Sequence, residues 1–97
     1  MKALKNDGEK AAHIAEVLKA VAHPLRIRIV AILCDGDEHV SALADRLEAP
    51  QAIVSQQLRI LRSLGLVEAC RENGFATYRI AEPALHSLVG CMEKCAR

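Results

Sequence analysis

A chain of 97 residues builds one domain with a core small enough that an oligomer is plausible. Its apolar share of 52%, mostly Ala, Leu, Val and Ile with one Phe, one Tyr and no Trp, favours a compact helical body over a disordered tail. The net charge of +1 excludes a uniformly basic binder of nucleic acid, so any such role must rest on how the charge is distributed.

Residues 1–9 read as a flexible N-terminal arm, and residues 10–97 as the domain. From Lys10 to Val21 the apolar residues Ile14, Val17, Leu18 and Val21 recur at i, i+3, i+4 and i+7, the spacing of an amphipathic helix. Pro24 suits the first turn of a second helix running Leu25 to Cys34, and Asp35-Gly36 is its stop signal. His23, just before Pro24, is expected to cap or orient that helix start. A third helix covers Val40 to Leu47. Pro50 starts a fourth, longer one that ends before Gly65. Strands follow at about Leu66 to Arg71 and Phe75 to Ile80. They are joined at Asn73-Gly74, a pair suited to a type I′ turn because both central positions need positive φ. Pro83 opens a last helix with Leu85, Leu88, Val89 and Met92 on one side and Ala84, Leu88, Cys91 and Cys95 on a neighbouring stripe. A helix this apolar on so many sides needs a partner, and a two-fold homodimer through the first and last helices supplies one.

Helix, turn, helix and β-hairpin in that order make a winged helix-turn-helix, mainly α with a small β-hairpin. In that architecture one helix enters the DNA major groove while the hairpin touches the flanking backbone. The charge agrees. Residues 35–48 carry Asp35, Asp37, Glu38, Asp45 and Glu48 against Arg46 alone, whereas residues 50–67 carry Arg59 and Arg62 and no acid. Within the long helix Ile53, Val54, Leu58 and Leu61 read as core. Gln51 sits at the start, where backbone N–H groups can meet a phosphate. Ser55, Gln56 and Gln57 are polar, and Gln56 and Gln57 are candidates for pairing with adenine. Arg59 and Arg62 suit phosphates, and in the wing Arg71 and Asn73 should lie near the minor groove or its backbone, with Glu72 turned away. Without the wing, the same polar residues would read as the solvated face of an amphipathic helix.

No apolar run reaches the ~18 residues that span a bilayer, and the opening Met1 to Lys10 is polar rather than a signal peptide. The expected location is cytoplasmic, where the four cysteines would be reduced thiols. Cys91 and Cys95, four apart on a helix, share a face and can hold one soft cation such as zinc, cadmium, copper(I) or trivalent arsenic. Cys34 can add a third sulfur from the same or the opposite subunit, a set suited to arsenite. Cys70 lies apart on the first wing strand. Reversible oxidation or persulfidation of a low-pKa thiolate is the competing signal, and packing as small apolar side chains is the reading without any sensing role. Among the histidines His13, His39 and His86 read as surface residues, with His86 a possible auxiliary ligand.

Four segments together resemble the ArsR/SmtB family of bacterial winged-helix repressors. They are Ala22-His-Pro-Leu-Arg-Ile-Arg-Ile-Val30, Val54-Ser-Gln-Gln-Leu-Arg-Ile-Leu61, Leu64-Gly-Leu-Val67, and Asn73-Gly74 with Tyr78-Arg79. The resemblance covers about residues 11–97. It implies a homodimer that blocks transcription at double-stranded operator DNA and releases it when a small inorganic inducer, either a metal or metalloid or a thiol-reactive signal, binds. The chain departs from two metal sites of that family. His39-Val40-Ser41 stands where a Cys-x-Cys pattern occurs. The last helix offers Glu82 and His86 near its start but thiols where His and Glu would follow. An enzyme finds no support, for there is no Gly-rich phosphate loop, Ser/His/Asp set or paired carboxylates. The remaining rival is a winged-helix module that contacts only proteins, which leaves Gln56, Gln57, Arg59 and Arg62 without a purpose.

Overall fold

The computed structural model describes residues 3–95; Met1 and Lys2 of the expected arm and Ala96 and Arg97 of the expected domain lie outside it. After a short 3-10 turn at Leu4–Asn6, helix α1 spans Gly8–Val21 and α2 spans Pro24–Asp35. Strand β1 is Glu38–His39, α3 is Val40–Leu47 and α4 is Gln51–Ser63. Strands β2 (Val67–Glu72) and β3 (Phe75–Ile80) form the hairpin, and α5 (Ala84–Cys95) closes the chain.

Local chemistry sets these boundaries. The Asp7 carboxylate accepts from the Lys10 backbone N–H at 3.0 Å, so α1 begins two residues before the Lys10 start read from periodicity. His23 caps α2 as expected: its Nδ1 accepts the Leu25 N–H at 3.1 Å, with Pro24 in the first turn. The chain leaves α3 through Glu48 in the left-handed conformation (φ 53°, ψ 46°), and Pro50, extended at φ −61° and ψ 140°, is the N-cap of α4 rather than its first residue. At the hairpin tip Asn73 and Gly74 both take positive φ, 52° and 82°, as the type I′ reading requires.

The sheet has one strand more than the hairpin expected from the sequence. β1 pairs antiparallel with β3 (Glu38 opposite Tyr78, His39 opposite Thr77), giving the order β1-β3-β2. Two residues carry no readable alternation, and only β3 arriving alongside makes them a strand. An ion pair between Arg46 and Glu38 at 3.1 Å ties α3 to this strand.

The core is a single cluster in which Ile29 and Leu33 of α2, Leu43 of α3, Val54, Leu58 and Leu61 of α4, Leu66, and Leu85 and Val89 of α5 are buried. Burying one such side chain contributes roughly 1.5–3 kcal/mol. Ile53 departs from expectation. It is 42% exposed, because the buried stripe of α4 falls on Val54, Leu58 and Leu61 and leaves position 53 about 100° to one side. Leu18 likewise stands out at 46%, with Ile14 and Val17 only half-buried. These residues face Leu85 and Leu88 across an apolar groove between α1 and the start of α5. Among the described residues no helix is long and apolar enough to cross a membrane.

Candidate functional site

The turn from α3 into α4 gives the second helix its exposed start. The Ala49 N–H donates to the Ala44 carbonyl at 3.0 Å, closing α3, while the Pro50 carbonyl accepts from Ile53 and Val54, each at 3.1 Å. Among the described residues no side-chain cap bond closes the start of α4 at its N-cap, Pro50. The N–H groups of Gln51 and Ala52 therefore lack intrahelical acceptors at the positive end of a 13-residue helix, an arrangement that suits an anion.

Along α4 the buried stripe of Val54, Leu58 and Leu61 anchors one side to the core. Gln51, Gln56, Arg59 and Arg62 are exposed on the remainder, and Ser55 and Gln57 are half-buried at its margins. Arg59, Arg62 and Ser63 line an open depression. Neither arginine joins an ion pair among the described residues. Gln57 differs from its neighbour Gln56, for its Oε1 accepts from Arg26 Nη1 of α2 at 3.1 Å. Arg26 served in the sequence only as an argument for helix over strand. Two cations, Arg26 and Arg28, inside the apolar run Leu25 to Leu33 were the signal that a partner for one of them lay nearby.

The wing projects Arg71 and Asn73 to solvent. The register pairs Arg71 with Ala76 and Glu72 with Phe75, so the strand pleat sends Arg71 and Glu72 to opposite faces. Arg79 is engaged elsewhere: its Nε donates to the Glu68 carboxylate at 2.6 Å, which holds the guanidinium further toward its charged form. Phe75, missed by sequence reasoning, is 66% exposed beside the turn. The His39 ring meets it edge-on at 5.8 Å, with His39 Nδ1 3.2 Å from the Ala76 carbonyl oxygen. A strand residue one step past a turn carries no periodicity to reveal that exposure.

All four cysteines are free thiols. Cys34, in the last turn of α2, is half-buried against the core, and α2 packs on α5. Cys91 and Cys95 are exposed on α5, and Cys70 is half-buried on β2. Burial pushes the Cys34 thiol above its usual range, and the carboxylates of Asp35 and Glu93 push in the same direction. Cys34 is therefore not the low-pKa thiolate that the oxidation reading called for. Among the described residues no three of His, Cys, Asp and Glu come together as a metal site, so a single chain does not assemble the three-sulfur set.

Residues 23–69 match the model of the family described as bacterial regulatory protein, arsR family. A biofilm growth-associated repressor of Agrobacterium fabrum is 36% identical over 81 residues, 84% of this chain and 69% of that protein. Among solved structures, the transcriptional repressor BigR from Xylella fastidiosa superposes with a TM-score of 0.89 at 31% identity, covering 99% of this chain and 100% of that one. The homodimeric winged helix-turn-helix DNA-binding domain of Mb0332 from Mycobacterium bovis gives 0.79 at 32% identity, over 96% and 89%.

Proposed function

The chain belongs to the ArsR family of bacterial regulatory proteins, and from that premise we propose that it is a homodimeric repressor whose hold on operator DNA is governed by its α2 and α5 thiols. The observation that carries the DNA-binding reading is α4. Its core stripe is fully buried while Gln51, Gln56, Arg59 and Arg62 face solvent beside an exposed wing. That is how a helix is presented to a major groove with a hairpin flanking it. The half-buried faces of α1 and α5 support pairing through those helices, and the similar Mb0332 domain is described as homodimeric. Pairing doubles a phosphate footprint that is modest in one subunit.

Control by thiols rests on Cys34 lying where α2 packs on α5, with Cys91 and Cys95 on that same helix. A soft ion such as arsenite or zinc that drew these sulfurs together, from one subunit or from both, would clamp α5 to α2 and shift the spacing of the two α4 helices, lowering DNA affinity. Oxidation is the second reading, in which an external oxidant or persulfide donor joins two thiols through a disulfide or polysulfide bridge. It is favoured by the lack of a three-donor group within the described chain. Titration of the reduced protein on promoter DNA with arsenite, zinc, cadmium, copper(I) and a persulfide donor separates them. Repeating it with Cys34→Ser, Cys91→Ser and Cys95→Ser assigns the sulfurs. Release by no candidate, with all variants behaving as wild type, leaves the cysteines as packing residues, and absence of any salt-dependent DNA shift removes the repressor reading.

A further inference from the structure

Two glutamines adjacent in sequence hold different positions on α4. Gln56 is exposed, whereas Gln57 is half-buried and reaches back to α2, where Arg26 Nη1 donates to its Oε1 at 3.1 Å. A guanidinium has only donors, so the end of the amide turned toward it must be the carbonyl. The Gln57 amide is thereby fixed in one orientation, with its NH2 as the unengaged end. Arg26 is itself set into the protein, and its Nε is shut away from solvent without a hydrogen-bond partner among the described residues. An orphaned buried donor is costly, and an apolar side chain of similar size would avoid that cost. What distinguishes arginine here is what its other nitrogen holds.

We infer that Arg26 is a positioning residue that turns Gln57 into a hydrogen-bond donor to DNA, so that Gln56 and Gln57 read different bases. Pairing with adenine needs both ends of an amide, the carbonyl accepting from N6 and the NH2 donating to N7. Gln56 keeps that option. Gln57 has its carbonyl committed to a charged donor and offers only N–H groups, which match base edges built of acceptors, the O6 and N7 of guanine or the O4 of thymine. The inference rests on the DNA-binding reading above and deepens it to one position of the operator.

The test is selection of bound duplexes from a randomised library, followed by sequencing, for the wild type, Gln57→Ala, Arg26→Met and Arg26→Gln. Gln57→Ala identifies the position that Gln57 contacts by losing preference there. Wild type should favour guanine or thymine at that position. Arg26→Met frees the amide to rotate and should move the adenine-to-guanine ratio there by about tenfold, within the range one specific base contact supplies. Arg26→Gln keeps a polar side chain that both donates and accepts, so it cannot select an orientation and should shift the ratio the same way even if the Met variant folds poorly. Adding either change to Gln57→Ala should have no further effect at that position. Variants that lose affinity evenly across all sequences, or a wild type that prefers adenine at the Gln57 position, overturn the inference. A wild type that binds no duplex at low salt overturns DNA binding itself.

Discussion

Replacing Arg62 with alanine tests how this protein meets DNA, because its cations fall into two groups. Arg62 and Arg59 are exposed on α4 and join no ion pair among the described residues, whereas Arg79 donates to Glu68 at 2.6 Å and Arg46 to Glu38 at 3.1 Å. Each phosphate neutralised on a duplex contributes about 0.9 to the slope of log affinity against log salt. A homodimer carries Arg62 twice, so Arg62→Ala should flatten the slope by about 1.8 and Arg59→Ala with Arg62→Ala by about 3.6, whereas a single bound subunit would lose half as much. Over a rise from about 50 to about 200 mM salt, a slope change of about 1.8 narrows the gap between wild type and Arg62→Ala by about 12-fold. Fluorescence anisotropy on one labelled duplex across that range reads the slopes directly. Arg79→Ala is the matched control, since its charge is already neutralised by Glu68, and its slope should stay at the wild-type value. The reasoning fails if Arg62→Ala keeps the wild-type slope, or if Arg79→Ala lowers it equally.

The Cys34 thiol, raised by burial and then by Asp35 and Glu93, stays protonated at neutral pH. Its alkylation, followed by mass spectrometry, should be slower than that of exposed Cys91 and Cys95 and rise about tenfold per pH unit, because only the thiolate reacts. A plateau below pH 8 contradicts the raised value, and Glu93→Gln should speed the reaction by removing one of its causes. Leu58, fully buried on α4, should cost about 2–5 kcal/mol when changed to alanine, lowering Tm by at least about 8 °C at matched protein concentration. Ile53→Ala, on the exposed side of the same helix, should move stability by no more than about 0.5 kcal/mol, and equal melting shifts for the two would contradict the burial pattern.

Features governed by neighbours along the chain were legible in the sequence. The His23-Pro24 helix start, the Asn73-Gly74 turn and the α4 stripe of Val54, Leu58 and Leu61 each depend on backbone geometry within a few residues. The order of elements that identifies the winged helix followed from them. Tertiary contacts decided the rest. β1 exists because β3 lies beside it, and Ile53 is exposed because the core reaches only part of the way around α4. Arg26 and Gln57, 31 positions apart, meet because α2 packs against α4. The burial that raises the Cys34 thiol is also set by packing, with the Glu93 carboxylate brought near by the seating of α5 on α2. Residue types and spacing specify which local shapes a chain can take. Which polar groups face water and which face one another depends on distances in space that no linear pattern encodes.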